Sequence, residues 1–339
     1  MKAIQFVGEG LHRLTEQPEP TEPPDGGVIL EVGAVGICGS DLRILSSPMQ
    51  HPAAPGVVLG HEISGVVRAV GRDVISVSEG DHVAIDPAKN CGLCRVCRAG
   101  IPESCPDKVL HGIFQDGGLR RYAPLPEWSL VPISSEVGVS RAALVEPLSC
   151  VLVCVDRARP RPGEGAAVIG GGPMGLLYTA VLSLMGADPL LVYEPHEARR
   201  EMALECGASA ALDGSDFSPE AWTAATGSED PPGYVVDAVG TLLEPAGELV
   251  DAGGRVVLIG YNIAARPSFN PSVLVEKAVS VRASNGGFYQ AANAARLLER
   301  EDFRADPVVS DEVGIEEFDR ALDDMRGGLA GKIAVLPAA

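Results

Sequence analysis

Apolar and polar residues alternate in short runs at the start of the chain. MKAIQFVGEG stops at Gly8, and GGVILEVGAVGI (26–37) and EISGVVRAVG (62–71) are rich in β-branched residues and bracketed by glycine, the pattern of strands joined by turns. This predicts a mostly β first half, to about residue 148. From Pro162 the pattern changes: AAVIG (166–170), LLVYE (190–194), AAL near 211, YVVDAV (234–239), RVVLIG (255–260) and VSVRAS (279–284) are compact apolar runs. Stretches of helical spacing separate them, one starting at Pro173 and another running through Arg200. About six buried strands alternating with helices predict an α/β fold with a doubly wound parallel sheet. After Gly286 and Gly287 an Ala-rich helix should run to about Glu299, and KIAVLP (332–337) reads as a strand returning to the first domain. The expected division is 1–148, 149–287 and a returning segment 288–339.

Length and charge narrow the function. A chain of 339 residues suits two domains, each able to bury its own core. With 27 Lys and Arg against 46 Asp and Glu, the net charge of −19 repels phosphate backbones and anionic lipid, which disfavours nucleic-acid and membrane-surface partners. The amino terminus has no apolar run of the length a signal peptide or membrane span requires, so a cytoplasmic location is expected.

Cys91, Cys94, Cys97 and Cys105 form C-x2-C-x2-C-x7-C, spacing suited to a closed tetrahedral thiolate site for structural zinc. Two disulfides or a redox C-x-x-C are the competing readings. A full thiolate shell leaves no position open for chemistry, so catalysis must lie elsewhere. Cys150, Cys154 and Cys206 stand in apolar surroundings and are expected to be buried, inert thiols.

Gly170, Gly172 and Gly175 make G-x-G-x-x-G between a strand and a helix, and Glu194 closes the next strand nineteen residues after Gly175. In such a site Gly170 allows the tight turn, Gly172 the approach of a pyrophosphate to the helix amino end, and Gly175 the packing of helix on strand. Glu194 would accept both ribose hydroxyls and repel a 2′-phosphate, which favours NAD(H) over NADP(H). Arg199 and Arg200, one helical turn further on, keep NADP(H) possible.

Taken in order, CGSD (38–41), GHE (60–62) with Gly65, GD-x-V (80–83), the cysteine quartet, EPL (146–148), GGGPMG (170–175), VDAVG (236–240), GGRVVLIG (253–260) and GK (331–332) carry a resemblance over nearly the whole chain. The chain resembles the zinc-dependent medium-chain alcohol and polyol dehydrogenases, including their sorbitol dehydrogenase-like members. The resemblance implies a GroES-like, mostly β catalytic domain and a Rossmann domain, with the active site in the cleft between them. It implies two zinc ions per chain, one structural in the quartet and one catalytic on Cys38, His61 and either Glu62 or Glu146. It also places Pro173, Met174, Val239 and Gly260 beside the cofactor, with Arg199 near its phosphates. Catalytic zinc in such enzymes acidifies the alcohol hydroxyl so that hydride can leave. Asp41 is similar to the acid that orients the ligating imidazole, although a helix-start cap is a compatible reading.

Ser40 corresponds to the hydroxyl that takes the substrate proton. Many relatives end that relay with a histidine five residues after the cysteine; here the position is Arg43, which cannot act as a base at neutral pH. Either Ser40 and the ribose pass the proton to water while Arg43 meets a cofactor phosphate or an anionic substrate group, or Arg43 is simply exposed. Arg120 and Arg121 depart from the small and acidic residues common in the family.

Acids near the zinc and a chain with 4% aromatics imply a polar substrate: a polyol, a sugar, or, by the EP and Arg199-Arg200 likeness to aminocyclitol dehydrogenases, an aminocyclitol. A homodimer or homotetramer is implied. A zinc-free reductase of the same superfamily and a zinc-stabilised NAD(P)-binding sensor without turnover are the alternatives, and the joint presence of Cys38, His61 and Glu146 weighs against the sensor.

Overall fold

The computed structural model describes residues 1–338 apart from positions 264, 268 and 329. A hairpin of β1 (Lys2–Gly8) and β2 (Leu11–Glu16) precedes β3 (Gly27–Gly36), β4 (Glu62–Val70) and β5 (His82–Ile85). A two-residue ladder, β6 (Ala88–Lys89) with β7 (Val109–Leu110), brackets the cysteine quartet, and β8 (Tyr122–Pro126) and β9 (Leu130–Pro132) complete the first half. Strands β3 and β4 run antiparallel with Gly36 opposite Glu62. Gly65 is required at the middle of that pairing, because a Cβ there would lie 2.2 Å from the Glu31 carbonyl oxygen. Val28, Leu30, Ile63, Val67, Val83 and Ile85 fill the interior of this unit.

The second sheet is built from β10 (Ala166–Ile169), β11 (Leu190–Tyr193), β12 (Ala210–Leu212), β13 (Tyr234–Asp237), β14 (Arg255–Leu258) and β15 (Ser280–Ala283). All pairs are parallel in the order β12-β11-β10-β13-β14-β15. Numbered within this sheet, that is 3-2-1-4-5-6, so the order reverses between β10 and β13, where a crevice opens at the carboxyl ends of the strands. The six apolar runs read from sequence are these six strands. The central strands β10, β11 and β13 are four residues long and buried throughout, which explains why they show no polar alternation.

The carboxy-terminal segment divides. The helix Ala291–Leu298 packs on the long helix Val145–Ala158, and its small face, Ala291, Ala294 and Ala295, shares the dinucleotide-side core with Leu176 and Leu177. Only from β16 (Val309–Gly314) and β17 (Lys332–Leu336) does the chain rejoin the first sheet, β17 pairing antiparallel with β3. The expectation that 288–339 returns as one block therefore needs correcting, because the alanine face is buried on the other core. Among the described residues no helix is long and apolar enough to cross a membrane.

Gly175 packs its helix directly on β10: a Cβ there would fall 1.8 Å from the Gly170 carbonyl oxygen. Gly175→Ala should cost about 1–3 kcal/mol by overpacking, visible as a lower melting midpoint by circular dichroism; an unchanged midpoint would contradict this packing.

Candidate active site

Cys38 begins the helix Gly39–Ile44, and its backbone N–H donates to Asp41 Oδ2 at 2.9 Å, so Asp41 caps the turn that presents the thiol. The other Asp41 oxygen stands 4.0 Å from His61 Nδ1, too far for a hydrogen bond. His61 and Glu62 lie at the start of β4, beside the end of β3, which leads to Cys38. Ligand atoms of Cys38, His61 and Glu62 come within 4.8 Å of one another.

His61 and Glu62 are buried, Glu62 fully inaccessible, and Cys38 is half-buried. Glu62 Oε1 accepts from Lys332 Nζ at 2.6 Å, whereas Glu62 Oε2, His61 Nδ1, Asp41 Oδ1 and Ser40 Oγ have no hydrogen-bond partner among the described residues. An unsatisfied buried polar group costs about 1–3 kcal/mol. A sulfur, a ring nitrogen and a carboxylate oxygen converging under that penalty fit a divalent cation such as zinc. Burial draws the His61 pKa down, but Cys38, Asp41 and Glu146 outweigh it and raise it well above its ordinary value, the response expected of an imidazole among anions.

Glu146 stands in the first turn of Val145–Ala158, outside the 4.8 Å trio but facing it. Burial, opposed by His61 and reinforced by Glu62, pushes its carboxyl up to about 7. One helical turn on, the Cys150 thiol lies 3.6 Å from Glu146 Oε1. Cys154 and Cys206 are buried as expected, but Cys150 is only partly so and lines the active cleft; the i, i+4 spacing from Glu146 was the available signal.

In the quartet, Sγ atoms of Cys91 and Cys97 are 4.0 Å apart and those of Cys94 and Cys105 are 3.9 Å apart, so no disulfide joins them. A tetrahedron of zinc–sulfur bonds has edges of roughly 3.8 Å. Backbone N–H groups of Cys91 and Cys94 and the Asn90 amide donate to these sulfurs, support that suits thiolates.

At the crevice, Gly170 takes φ +101°, and Gly172 caps the helix Pro173–Leu184. Glu194, buried just after β11, accepts from Gly171 N–H at 2.8 Å and His196 N–H at 2.9 Å. Val239 lies against Gly170, and Gly260 against Gly240, each so closely that a Cβ on the glycine would clash. Arg199 donates to the Ala330 carbonyl beside the Gly172 turn, whereas Arg200 is spent on the carbonyls of Glu194 and Pro195. Sequence reasoning passed over Asp237, whose buried carboxylate accepts from the N–H groups of Val239, Gly240 and Leu242 and so shapes this loop.

A cavity of about 400 Å³ joins the two regions, with Cys38, His61, Glu62 and Glu146 on one side and Met174 and Ile259 on the other. Ser40 and Arg43 also line it. Arg43 is partly buried, donates to the Tyr261 carbonyl at 3.0 Å and lies 5.0 Å over the Tyr261 ring. Arg120, paired with Asp116, and Arg121, near Glu31, take no part in this cavity. His51, Asp86, Lys108 and Phe288 do, and the sequence offered no periodicity or motif to find them.

Residues 24–135 match the alcohol dehydrogenase GroES-like domain family, and residues 173–300 match the zinc-binding dehydrogenase family. The 2-dehydro-3-deoxy-L-galactonate 5-dehydrogenase of Pseudoalteromonas atlantica is 33% identical over 273 residues, 79% of this chain and 78% of that protein. A zinc-binding dehydrogenase of Sinorhizobium meliloti 1021, solved with NADP, superposes with a TM-score of 0.87 at 28% identity, over 99% of both chains. An alcohol dehydrogenase of Escherichia coli CFT073, solved with NADH, gives 0.87 at 26% identity, again over 99% of both.

Lys332→Met would leave Glu62 as an unpaired buried charge, an expected loss of about 3–5 kcal/mol in denaturant unfolding. The double variant with Glu62→Gln should recover part of that loss, and failure to do so would show that the two side chains act independently.

Proposed function

The chain belongs to the zinc-dependent medium-chain dehydrogenases, and from that premise we propose that it moves hydride between NAD(H) and a secondary alcohol or ketone of a polar substrate. The observation that carries this reading is the trio Cys38, His61 and Glu62, whose buried His61 Nδ1 and Glu62 Oε2 have no partner among the described residues, opening into the same cavity as Met174 at the cofactor helix. The amino-terminal β unit, 1–148, acts as the catalytic domain. Residues 149–287 with the helix Ala291–Leu298 bind the dinucleotide, and the chain from Val309 returns.

In this reading Cys38, His61 and Glu62 hold a catalytic zinc and Glu146 faces its open side, while Cys91, Cys94, Cys97 and Cys105 hold a structural one. When bound, the catalytic zinc would supply Lewis acidity at the substrate oxygen, and nicotinamide the hydride acceptor. Ser40 Oγ, buried and free of other partners, takes the hydroxyl proton. Arg43 cannot serve as the terminal base, so the relay from Ser40 would end on water, and a bound cofactor would supply a ribose hydroxyl between them. Glu194 selects NAD(H) in preference to NADP(H), since its buried carboxylate would oppose a 2′-phosphate. Polyols, sugars and aminocyclitols are the substrate class, and the galactonate-acting relative supports a polyhydroxylated chain. The protein works in the cytoplasm as a homodimer or homotetramer. The sensor and zinc-free readings leave the open trio without a purpose.

Metal analysis should return two zinc ions per chain, and a screen of NAD+ and NADP+ with polyols, sugars and aminocyclitols should reveal turnover. One zinc, confined to the quartet, would count against the dehydrogenase. Ser40→Ala should lower kcat by about 100-fold; an undiminished kcat would remove Ser40 from the relay. Glu194→Gln should raise the KM for NAD+ by about tenfold, the scale of one charge-assisted hydrogen bond, and should narrow the gap to NADP+. An unchanged ratio would place cofactor selection elsewhere.

A further inference from the structure

The cavity beyond the metal trio carries a charge pattern opposite to that of the whole protein. The chain has a net charge of −19, yet Arg43, His51 and Lys108 share this wall, with Asp86 the one acid there besides Glu62 and Glu146. None of the three basic groups enters an ion pair among the described residues. Several partly buried cations elsewhere do, Arg120 with Asp116, Arg141 with Asp306, Arg157 with Glu103 and Arg255 with Glu164, whereas Arg199, Arg200 and Lys277 are spent on backbone carbonyls. Lys108 Nζ donates only to the Glu103 carbonyl at 3.0 Å, which leaves two of its three donors free. Arg43 uses one donor on the Tyr261 carbonyl, and its Nε is buried without a partner.

Arg43, His51 and Lys108 all line this one cavity. His51 is held below its ordinary pKa mainly by burial, with Arg43 and Lys108 pushing in the same direction, so its ring is neutral and the fixed cations of the wall are Arg43 and Lys108. Other groups acting on it are the Pro52 carbonyl and His61. In a protein with 46 carboxylates, cations left unpaired in a cleft are most simply explained by an anion that arrives with the substrate. Asp86 tells of the rest of that molecule. Its carboxylate, raised to about 6 chiefly by burial, touches only the Ala88 N–H, at 3.2 Å, and its charge reaches Glu146. It lines the same cavity and offers an acceptor there for substrate hydroxyls.

We propose that the substrate is an anionic polyhydroxylated alcohol, its carboxylate or phosphate bound by Lys108 with Arg43 on the same cavity wall. This deepens the dehydrogenase reading above and rests on it. Within the polar substrates considered, it places an aminocyclitol last, because an ammonium group would meet the cations of Arg43 and Lys108.

The test is a series alike in hydroxyls and different in one end group: sorbitol, gluconate, sorbitol 6-phosphate and glucamine, with the galacto and ido counterparts, offered to the zinc-loaded enzyme. The acid or the phosphate ester should exceed the neutral alditol of the same configuration by about tenfold or more in kcat/KM, with the amine lowest; the better of the two anions identifies the group. Lys108→Gln should reduce the anionic-to-neutral ratio by about tenfold, mainly through KM, and Lys108→Arg should restore most of it. A neutral or amino substrate in first place, or a ratio that Lys108→Gln leaves unchanged, overturns the inference. Binding by calorimetry separates this failure from that of the reading beneath it. Gluconate binding that exceeds sorbitol binding and weakens in Lys108→Gln, without turnover of any alcohol, would sink the dehydrogenase reading and keep the anion site. Equal binding of both would remove the anion site.

Discussion

One buried ion pair joins the parts of this protein that chemistry needs close together. Lys332 Nζ donates to Glu62 Oε1 at 2.6 Å and to the Ile37 carbonyl at 3.0 Å, and both charged side chains are almost wholly inaccessible. Ile37 precedes Cys38 and Glu62 follows His61, so a single ammonium fixes the backbone beside the thiol and the carboxylate beside the imidazole. Gly36 makes room for it: a Cβ there would fall 2.1 Å from Glu62 Oε2 and 3.2 Å from Lys332 Cδ. The pair explains why the chain, having built the second sheet, returns as β17 to lie against β3. A buried pair of this kind is weak evidence for stability, because desolvation offsets most of the attraction. Its contribution is positional, since Glu62 keeps one oxygen engaged and the other turned free toward the trio.

The same economy governs the opposite wall. The helix Val145–Ala158 buries Val151 and Cys154 in the dinucleotide-side core, while its first turns hold Glu146 and Cys150 at the cleft. A rigid element anchored on one side thus presents groups to a site built on the other, which is how a cleft keeps its geometry when it is assembled from distant segments. Asp237 does for the cofactor loop what Asp41 does for Cys38. In each case a buried carboxylate gathers backbone N–H groups and sets the turn from which the next functional residue projects.

How much of this was readable in sequence depended on distance along the chain. The six core strands and the glycine turn are local, so period and spacing found them. The quartet is local too, with four cysteines inside fifteen residues. Cys38, His61, Glu62 and Glu146 are spread over more than a hundred residues of chain and became legible only through the family resemblance. Lys332 was visible merely as the end of a GK pair, because its importance comes from an ion pair spanning 270 residues. His51, Asp86 and Lys108 lie in irregular connections where no periodicity applies. The alanine helix after Gly287 was found but misplaced: composition reveals a small buried face and says nothing about which of two cores receives it.

The quartet, distant from the proposed chemistry in role, is near it in space. Asn90 donates to Cys97 Sγ at 3.2 Å and accepts from Tyr289 Oη at 3.1 Å, and Tyr289 follows Phe288, which lines the cavity. Tyr289 holds φ +66°, a left-handed conformation unusual for a bulky residue, of a kind that costs on the order of 1 kcal/mol or more and persists only where surroundings enforce it. The side chain of this residue is the one that reaches the cysteine lobe. Glu103 of the same lobe pairs with Arg157 on the long helix, and its carbonyl receives Lys108. A closed thiolate centre that made only local contacts could be cut from the fold without touching the cleft. This one is tied to the cavity wall through Asn90, Glu103 and Lys108, so the shape of the cavity depends on a lobe whose four cysteines lie outside it.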